Sequence, residues 1–233
     1  MRLDKYICYS SDLTLSQART HIANQQVQVA GHLCTNPAQQ VHEHNNISLA
    51  GQRLTPRPAR YIMLHKRLNT LCSHQDGAYP SLFSDLDLEK AELLHLVGRL
   101  DADTTGLVLL TDDGRWSYQL THPQSGCRKV YRVTLRSELA TDTAQLFKQG
   151  ILLQGEAKPT LPAILTPVTA KEVLLTITEG RFHQVKRMFA AVNNKVLALH
   201  REQVGNLQLD LAPREWRYLT SAEVMATHIP KKT

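Results

Sequence analysis

The chain has 233 residues, of which 42% are hydrophobic and 21% charged, enough for a conventional core in one domain plus a small module. No apolar run approaches the roughly 20 residues that cross a bilayer, and the start, Met1-Arg2-Leu3-Asp4-Lys5, shows no signal peptide, so a soluble, cytoplasmic protein is expected. The net charge of +6 favours a polyanionic partner, because Lys and Arg displace counterions condensed on phosphates. Four cysteines (Cys8, Cys34, Cys72, Cys127) form no C-x-x-C pair, which argues against a zinc ribbon or a redox pair and suits reduced thiols. The eleven histidines include no H-x-x-x-H pair, and His42-Glu43-His44 reads as a solvated turn, so no metal is expected. Nucleotide cofactors are not expected either, since G-x-G-x-x-G and G-x-x-x-x-G-K-[ST] are both missing.

In chain order, residues 1–55 read as a compact module. Leu3, Tyr6 and Ile7 recur at helical spacing, and a second helix starts near Ser16 as N-cap, with Ala18, Ile22 and Ala23 on one face. Val27-Gln-Val29-Ala-Gly31 and Ile47-Ser-Leu49-Ala-Gly51 alternate into glycine turns, as half-buried hairpin strands do. Thr55-Pro56-Arg57-Pro58 disfavours helix and sheet, giving a linker over 56–60.

A second domain is expected over 61–233. Strands are read at Tyr61–His65, Leu93–Val97, Gly106–Thr111, Val130–Leu135 and Val173–Ile177, with a further strand near Leu207. Helices are read at Trp116–Leu120, at Thr141–Gln149 closed by Gly150, and from about His183 to Val192. Without regular βαβ alternation, the pattern points to an α+β domain with a mixed, largely antiparallel sheet. The tail from Pro230 to Thr233 carries no signal.

Two stretches concentrate positive charge. Arg128, Lys129, Arg132 and Arg136 form one, and Arg181, Lys186, Arg187, Lys195 and Arg201, with no acid among them, form the other. Between glycines at 98 and 106 lies the polar loop Arg99-Leu100-Asp101-Ala102-Asp103-Thr104-Thr105. A carboxylate there can project into a cleft while flanking strands hold it still. From spacing alone, an Asp/Thr turn bonding its own backbone is the favoured reading.

Two resemblances sharpen this reading. Arg2-Leu3-Asp4-Lys5, Ser16-Gln17-Ala18-Arg19, Ile22 and Gln26-Val27-Gln28-Val29-Ala30-Gly31 resemble the S4 RNA-binding module, which implies that Arg19 faces RNA. Six Lys/Arg against three acids over residues 1–60 imply only modest affinity. Gly98-Arg99-Leu100-Asp101 followed by Thr104-Thr105-Gly106-Leu107-Val108-Leu109-Leu110-Thr111-Asp112-Asp113-Gly114 resembles the signature loop of the RsuA-type ribosomal RNA pseudouridine synthases. Lys129-Val130-Tyr131 and Glu179-Gly180-Arg181-Phe182-His183-Gln184-Val185-Lys186-Arg187-Met188 match two further elements of that family in the same order.

The resemblance implies isomerisation of a uridine in ribosomal RNA, closest to the enzyme acting on small-subunit 16S RNA, naked or in an assembly intermediate. It gives Asp101 the role of nucleophile, Tyr131 that of stacking on the flipped uracil, and Lys186 that of pairing with Asp101, where many relatives carry Arg. Asp103 and Asp112 are left with turn or capping roles. Arg99, Lys129, Arg181, His183, Gln184 and Arg187 are expected to contact RNA, with no cofactor and no metal. A monomer is expected, since no exposed apolar heptad suggests self-association. The competing reading is a non-catalytic RNA-binding or ribosome-assembly protein. A glycosidase-like use of Asp101 and Asp103 has no support from other segments.

Overall fold

The computed structural model describes residues 1–42 and 44–227; Glu43 of the expected His42–His44 turn and the expected tail at 230–233 lie outside them. The chain divides into two compact units, Met1–Ala59 and the residues from Arg60 onward.

The first unit runs α1 (Leu3–Ser10), α2 (Leu15–Ala23), β1 (Val27–Val29), β2 (His32–Leu33), β3 (Ile47–Leu49) and β4 (Gln52–Arg53). Leu3, Tyr6, Ile7, Ala18 and Ile22 are buried, as their helical spacing requires. The second helix is capped by Thr14 rather than Ser16. Thr14 accepts from the Gln17 amide, and the Gln17 side chain accepts from the Thr14 amide, a reciprocal box that satisfies two helix-end donors. The four strands form a sheet in the order β2-β1-β3-β4, antiparallel throughout.

The second unit runs β5 (Tyr61–Lys66), β6 (His95–Val97), β7 (Thr105–Thr111), α3 (Gly114–Thr121), β8 (Lys129–Leu135), α4 (Thr143–Gln149), β9 (Ile164–Thr169), β10 (Glu172–Ile177), α5 (Gln184–Ala191), β11 (Val196–Val204), β12 (Leu207–Gln208), β13 (Trp216–Tyr218) and α6 (Ser221–Ala226). The sheet order is β13-β5-β7-β11-β8-β10-β9, with β6 on β7 and β12 on β11. Only β7–β11 is parallel among these pairings, so the expected α+β class and the mixed, largely antiparallel sheet are both present. Strands β9, β11 and β13 were not expected from the sequence.

Apolar side chains cover both faces of the sheet. Ile62, Leu64, Val108, Leu110, Val133 and Leu175 fill one core, while Met63, Leu107, Leu109, Trp116 and Leu207 fill another. The alternation of β5 and β7 between the two cores explains why both read as continuous apolar runs. Asp113 caps α3 by accepting from the Arg115 and Trp116 amides. Asp112 accepts from the Arg60 amide and Nε, tying the edge of β5 to the end of β7.

At the parallel pairing the two backbones approach closely. A Cβ on Gly106, where φ is +111°, would lie 2.3 Å from the Arg201 carbonyl oxygen and 2.6 Å from its nitrogen. Gly106→Ala is therefore expected to destabilise the chain by about 3 kcal/mol. A urea-unfolding midpoint within error of the parent would contradict this close approach.

Candidate active site

The polar loop between β6 and β7 is held from beneath. The buried Lys66 at the end of β5 donates from Nζ to the carbonyls of Thr104 (2.8 Å), Arg67 (3.1 Å) and Ala102 (3.2 Å). The Asn69 amide also donates to Ala102 O at 2.9 Å, and the Leu100 amide reaches Cys72 Sγ at 3.3 Å. Burial pushes the Lys66 ammonium down and the Cys72 thiol up from their ordinary values. These contacts fix the loop backbone, so Asp101 is presented by a rigid support rather than a mobile tip.

Helix α5 supplies the other side. Val185, Met188 and Phe189 bury at helical spacing, and Phe189 meets Phe147 of α4 edge-on at 5.2 Å. This anchorage leaves Lys186 on the flank facing the loop. Its Nζ donates to Asp101 Oδ2 at 2.7 Å and to Asp103 Oδ1 at 2.6 Å. His183, the N-cap residue with φ +47°, brings Nε2 to 3.5 Å from Asp101 Oδ1. Asp101 thus sits against the first turn of a helix, where amide dipoles also favour an anion.

Asp103 shares Lys186 with Asp101, a role beyond the turn expected of it. Burial acts to raise the Asp103 pKa, but the hydrogen bond and charge of Lys186 outweigh it and hold the carboxyl below 3.8. For Lys186, burial acts downward and the two carboxylates more than offset it, so its pKa is raised above 10.5. The sign follows from linkage. Stability lent through Asp103 is present above the unfolded carboxylate value and lost as pH falls through the lower folded one. Stability lent through Lys186 is complete below its unfolded value and lost as pH rises through the higher folded one. Asp103 is mostly exposed, so the effect is small. Urea midpoints of the parent should exceed those of Asp103→Asn at neutral pH and converge below pH 3.8. A constant gap down to strongly acid pH would contradict the pairing.

Tyr131 lies on β8, whose alternate residues Lys129, Tyr131, Val133 and Leu135 are buried. Its strand neighbours are Arg201 on β11 and Leu175 on β10. Together with Asp101, Lys186, Arg201 and Phe182, Tyr131 lines a cleft of about 830 Å³. The exposed Phe182 ring stacks on His183, with centroids 3.8 Å apart.

The residues expected at RNA separate sharply. Arg99 is exposed and makes no hydrogen bond or ion pair among the described residues. The partly exposed Arg19 donates to Asp4 Oδ2 at 3.0 Å. Lys129 is buried inside the cleft wall, and burial lowers its pKa. Arg181 donates to Glu179 and to the carbonyls of Lys158 and Pro159. Arg187 donates to Glu156 and to the carbonyls of Phe182 and Gln154. The buried Gln184 donates to Glu179 and accepts from the Arg181 amide. Arg132, from the other basic stretch, pairs with Glu172 and Glu202. The network of Arg181, Gln184 and Arg187 braces the 179–184 turn that carries His183 instead of standing free for phosphate.

Arg201 and Lys66 were not foreseen as site residues. Both are almost wholly buried basic side chains, Lys66 at the end of β5 and Arg201 in the polar centre of β11. Among the described residues no group of three His, Cys, Asp or Glu is placed to hold a metal ion, and no helix is long and apolar enough to cross a membrane.

Comparison with known proteins places the chain in a family. The family described as RNA pseudouridylate synthase matches residues 60–191. The ribosomal small subunit pseudouridine synthase A of Pasteurella multocida (strain Pm70) is 47% identical over 96% of this chain and 98% of its own length. Its namesakes in Vibrio parahaemolyticus (48%) and Escherichia coli K12 (45%) match over the same shares. A solved pseudouridylate synthase, 42% identical, superposes with a TM-score of 0.73 over 97% of this chain and 99% of its own. With a buttressed Asp101, its partner Lys186 and the cleft beside Tyr131 set in such a framework, the chain belongs to the RNA pseudouridylate synthase family.

Proposed function

We propose that the chain isomerises one uridine of small-subunit ribosomal RNA to pseudouridine, with Asp101 as the nucleophile. The observation that carries this reading is the 2.7 Å pairing of Asp101 with Lys186 at a cleft that also holds Tyr131. The reaction breaks N1–C1′ and rejoins uracil through C5, with no net gain of atoms and no redox change. It therefore calls for orientation, a carboxylate and control of charge. A base within folded RNA must first be extruded, and a cleft of this size accepts one nucleotide.

In this reading Lys186 holds and orients the Asp101 carboxylate at 2.7 Å, and Tyr131 packs against the extruded uracil, a contact worth about 1–3 kcal/mol. His183 stands beside the carboxylate to orient it. The RNA backbone is held by cations left free by the protein itself. Arg99, Arg128, Arg136 and Lys195 are exposed, and no acceptor takes their side chains among the described residues. Arg136 and Lys195 line a groove that continues from Asp103 and Lys186. Arg181, Arg187 and Lys129 act indirectly, by shaping the turn and the cleft wall.

The S4-like first unit contributes weak docking through Arg19 and its neighbours, and the enzyme acts in the cytoplasm as a monomer. The names of the relatives support the small subunit as source of the substrate. The test is tritium release from [5-³H]uridine-labelled small- and large-subunit RNA, each naked and as a partly assembled particle. Faster release from small-subunit RNA is expected; equal or faster release from large-subunit RNA would overturn the assignment.

A further inference from the structure

Arg201 is a buried cation without an anion. Its side chain is 1% exposed, Nε donates to Leu107 O at 2.8 Å, and Nη1 lies 3.5 Å from Tyr131 Oη. Nη2 has no hydrogen-bond partner, and no carboxylate pairs with the guanidinium among the described residues. A buried donor left unpaired costs about 1–3 kcal/mol, and an unpaired buried charge costs more. The neighbourhood adds to the imbalance. Lys129 is buried in the same cleft wall, its ammonium destabilised first by burial and also by the charge of Arg201. Asp101, the carboxylate that lines the cleft, is already engaged by Lys186, as is Asp103 beside it. The floor behind Tyr131 thus carries two buried basic groups that no carboxylate pairs with among the described residues, Glu179 reaching Lys129 only through its charge.

Isomerisation supplies the missing anion, and does so transiently. When N1–C1′ breaks, both electrons of the bond pass to the base, which becomes a uracil anion while C1′ is taken up by the Asp101 carboxylate or by loss of a C2′ proton. Addition of the carboxylate at C6 instead also drives an electron pair onto the base, toward O4. The C5–C1′ bond then forms, C5 loses its proton and N1 gains one, so the product is again neutral. Along each route the base is neutral at the start and negative in between.

We propose that Arg201 is a catalytic residue of this reaction, donating from Nη2 to a carbonyl oxygen of the extruded uracil and holding the negative charge the base acquires. A cation prepared in advance within a buried wall stabilises that charge with little reorganisation and favours the transition state over the neutral substrate. The arrangement also gives a reason for retaining a costly buried guanidinium on β11. This inference rests on the isomerase reading of the cleft.

Arg201→Gln and Arg201→Lys, compared with the parent in single-turnover reactions, test it. Arg201→Gln should slow uridine conversion about 100-fold while RNA affinity stays within about threefold. A 5-fluorouridine substrate leaves as a more stable anion; its C5 has no proton to lose, so after the C5–C1′ bond forms water adds across C6 and N1, and the reaction is followed by consumption of the nucleoside. On it the loss should shrink to about tenfold, with Arg201→Lys intermediate on both substrates. Equal losses on the two substrates, or a loss confined to affinity, would overturn the proposal.

A second arm needs no variant, so it stands even if these substitutions fail to fold. The parent should be inhibited at least about ten times more strongly by 5-nitrouracil, an anion at neutral pH, than by neutral uracil; equal inhibition sinks the proposal. A parent inactive on both RNA substrates would sink the isomerase reading with it, whereas an active parent with equal losses sinks this inference alone.

Discussion

Replacing Asp101 by asparagine is expected to lower uridine conversion by roughly 10⁴-fold or more while leaving RNA affinity nearly intact. The substitution keeps the size and planar shape of the side chain, so the loop clamped by Lys66, Asn69 and Cys72 has no steric reason to move. What it removes is the negative charge and the nucleophilic oxygen. Lys186 retains Asp103 as a partner at 2.6 Å, so no buried cation is stranded, and stability should change little. Single-turnover assays beside a filter-binding titration separate the two effects. Residual conversion within tenfold of the parent would remove Asp101 from the chemistry, and a parallel loss of affinity would recast it as a binding residue.

Lys186→Met should be the next most damaging change, lowering conversion by about 10³-fold. It leaves Asp101 and Asp103 on one short loop without the cation that holds both carboxylates in place. His183 would remain as the neighbouring group able to bear charge, at 3.5 Å. A split between rate and affinity supplies the diagnostic: single-turnover conversion should fall while RNA affinity stays within about threefold. Lys186→Arg should restore most of the rate, since the charge is kept even though the planar fork approaches the two carboxylates differently. A parallel loss of affinity in Lys186→Met, or no recovery with arginine, would assign Lys186 a structural role.

Much of this site could be read from sequence because its parts are local. Gly98 to Gly106, Lys129 to Tyr131 and Glu179 to Met188 are short segments whose residue types and order carry the resemblance, and strand or helix periodicity is visible around each. Folding adds the meeting of Lys186 with Asp101, separated by 85 positions in the chain. Charge was the least informative signal. Arg132, Arg181 and Arg187 read as an RNA-facing surface because sequence gives the sign of a side chain but not its neighbours. Their partners, Glu202, Glu172, Glu179 and Glu156, are brought alongside by the fold.

Strand β11 shows the same difficulty from the other side. Its polar centre, His200-Arg201-Glu202, breaks the alternation that marks a half-buried strand, so the longest strand went unrecognised. The interruption is itself the functional feature, because Arg201 faces the cleft wall where a core residue would otherwise sit. Lys66 likewise ends an apolar run as though entering a loop, yet it is buried to hold the Asp101 backbone. The shift of the helix start from Ser16 to Thr14 has a smaller cause. The reciprocal bonds of Thr14 and Gln17 favour the earlier cap, while both serine and threonine suit that position.

The most direct test of the central claim is the stoichiometry of tritium release when the purified chain acts on unmodified [5-³H]uridine small-subunit RNA. Isomerisation at a single site predicts release approaching about one tritium per RNA and then stopping, with conversion of one uridine at unchanged RNA mass. Tight RNA binding with no tritium released, from naked RNA and from assembling particles alike, would contradict the account and leave a binding protein built on this fold.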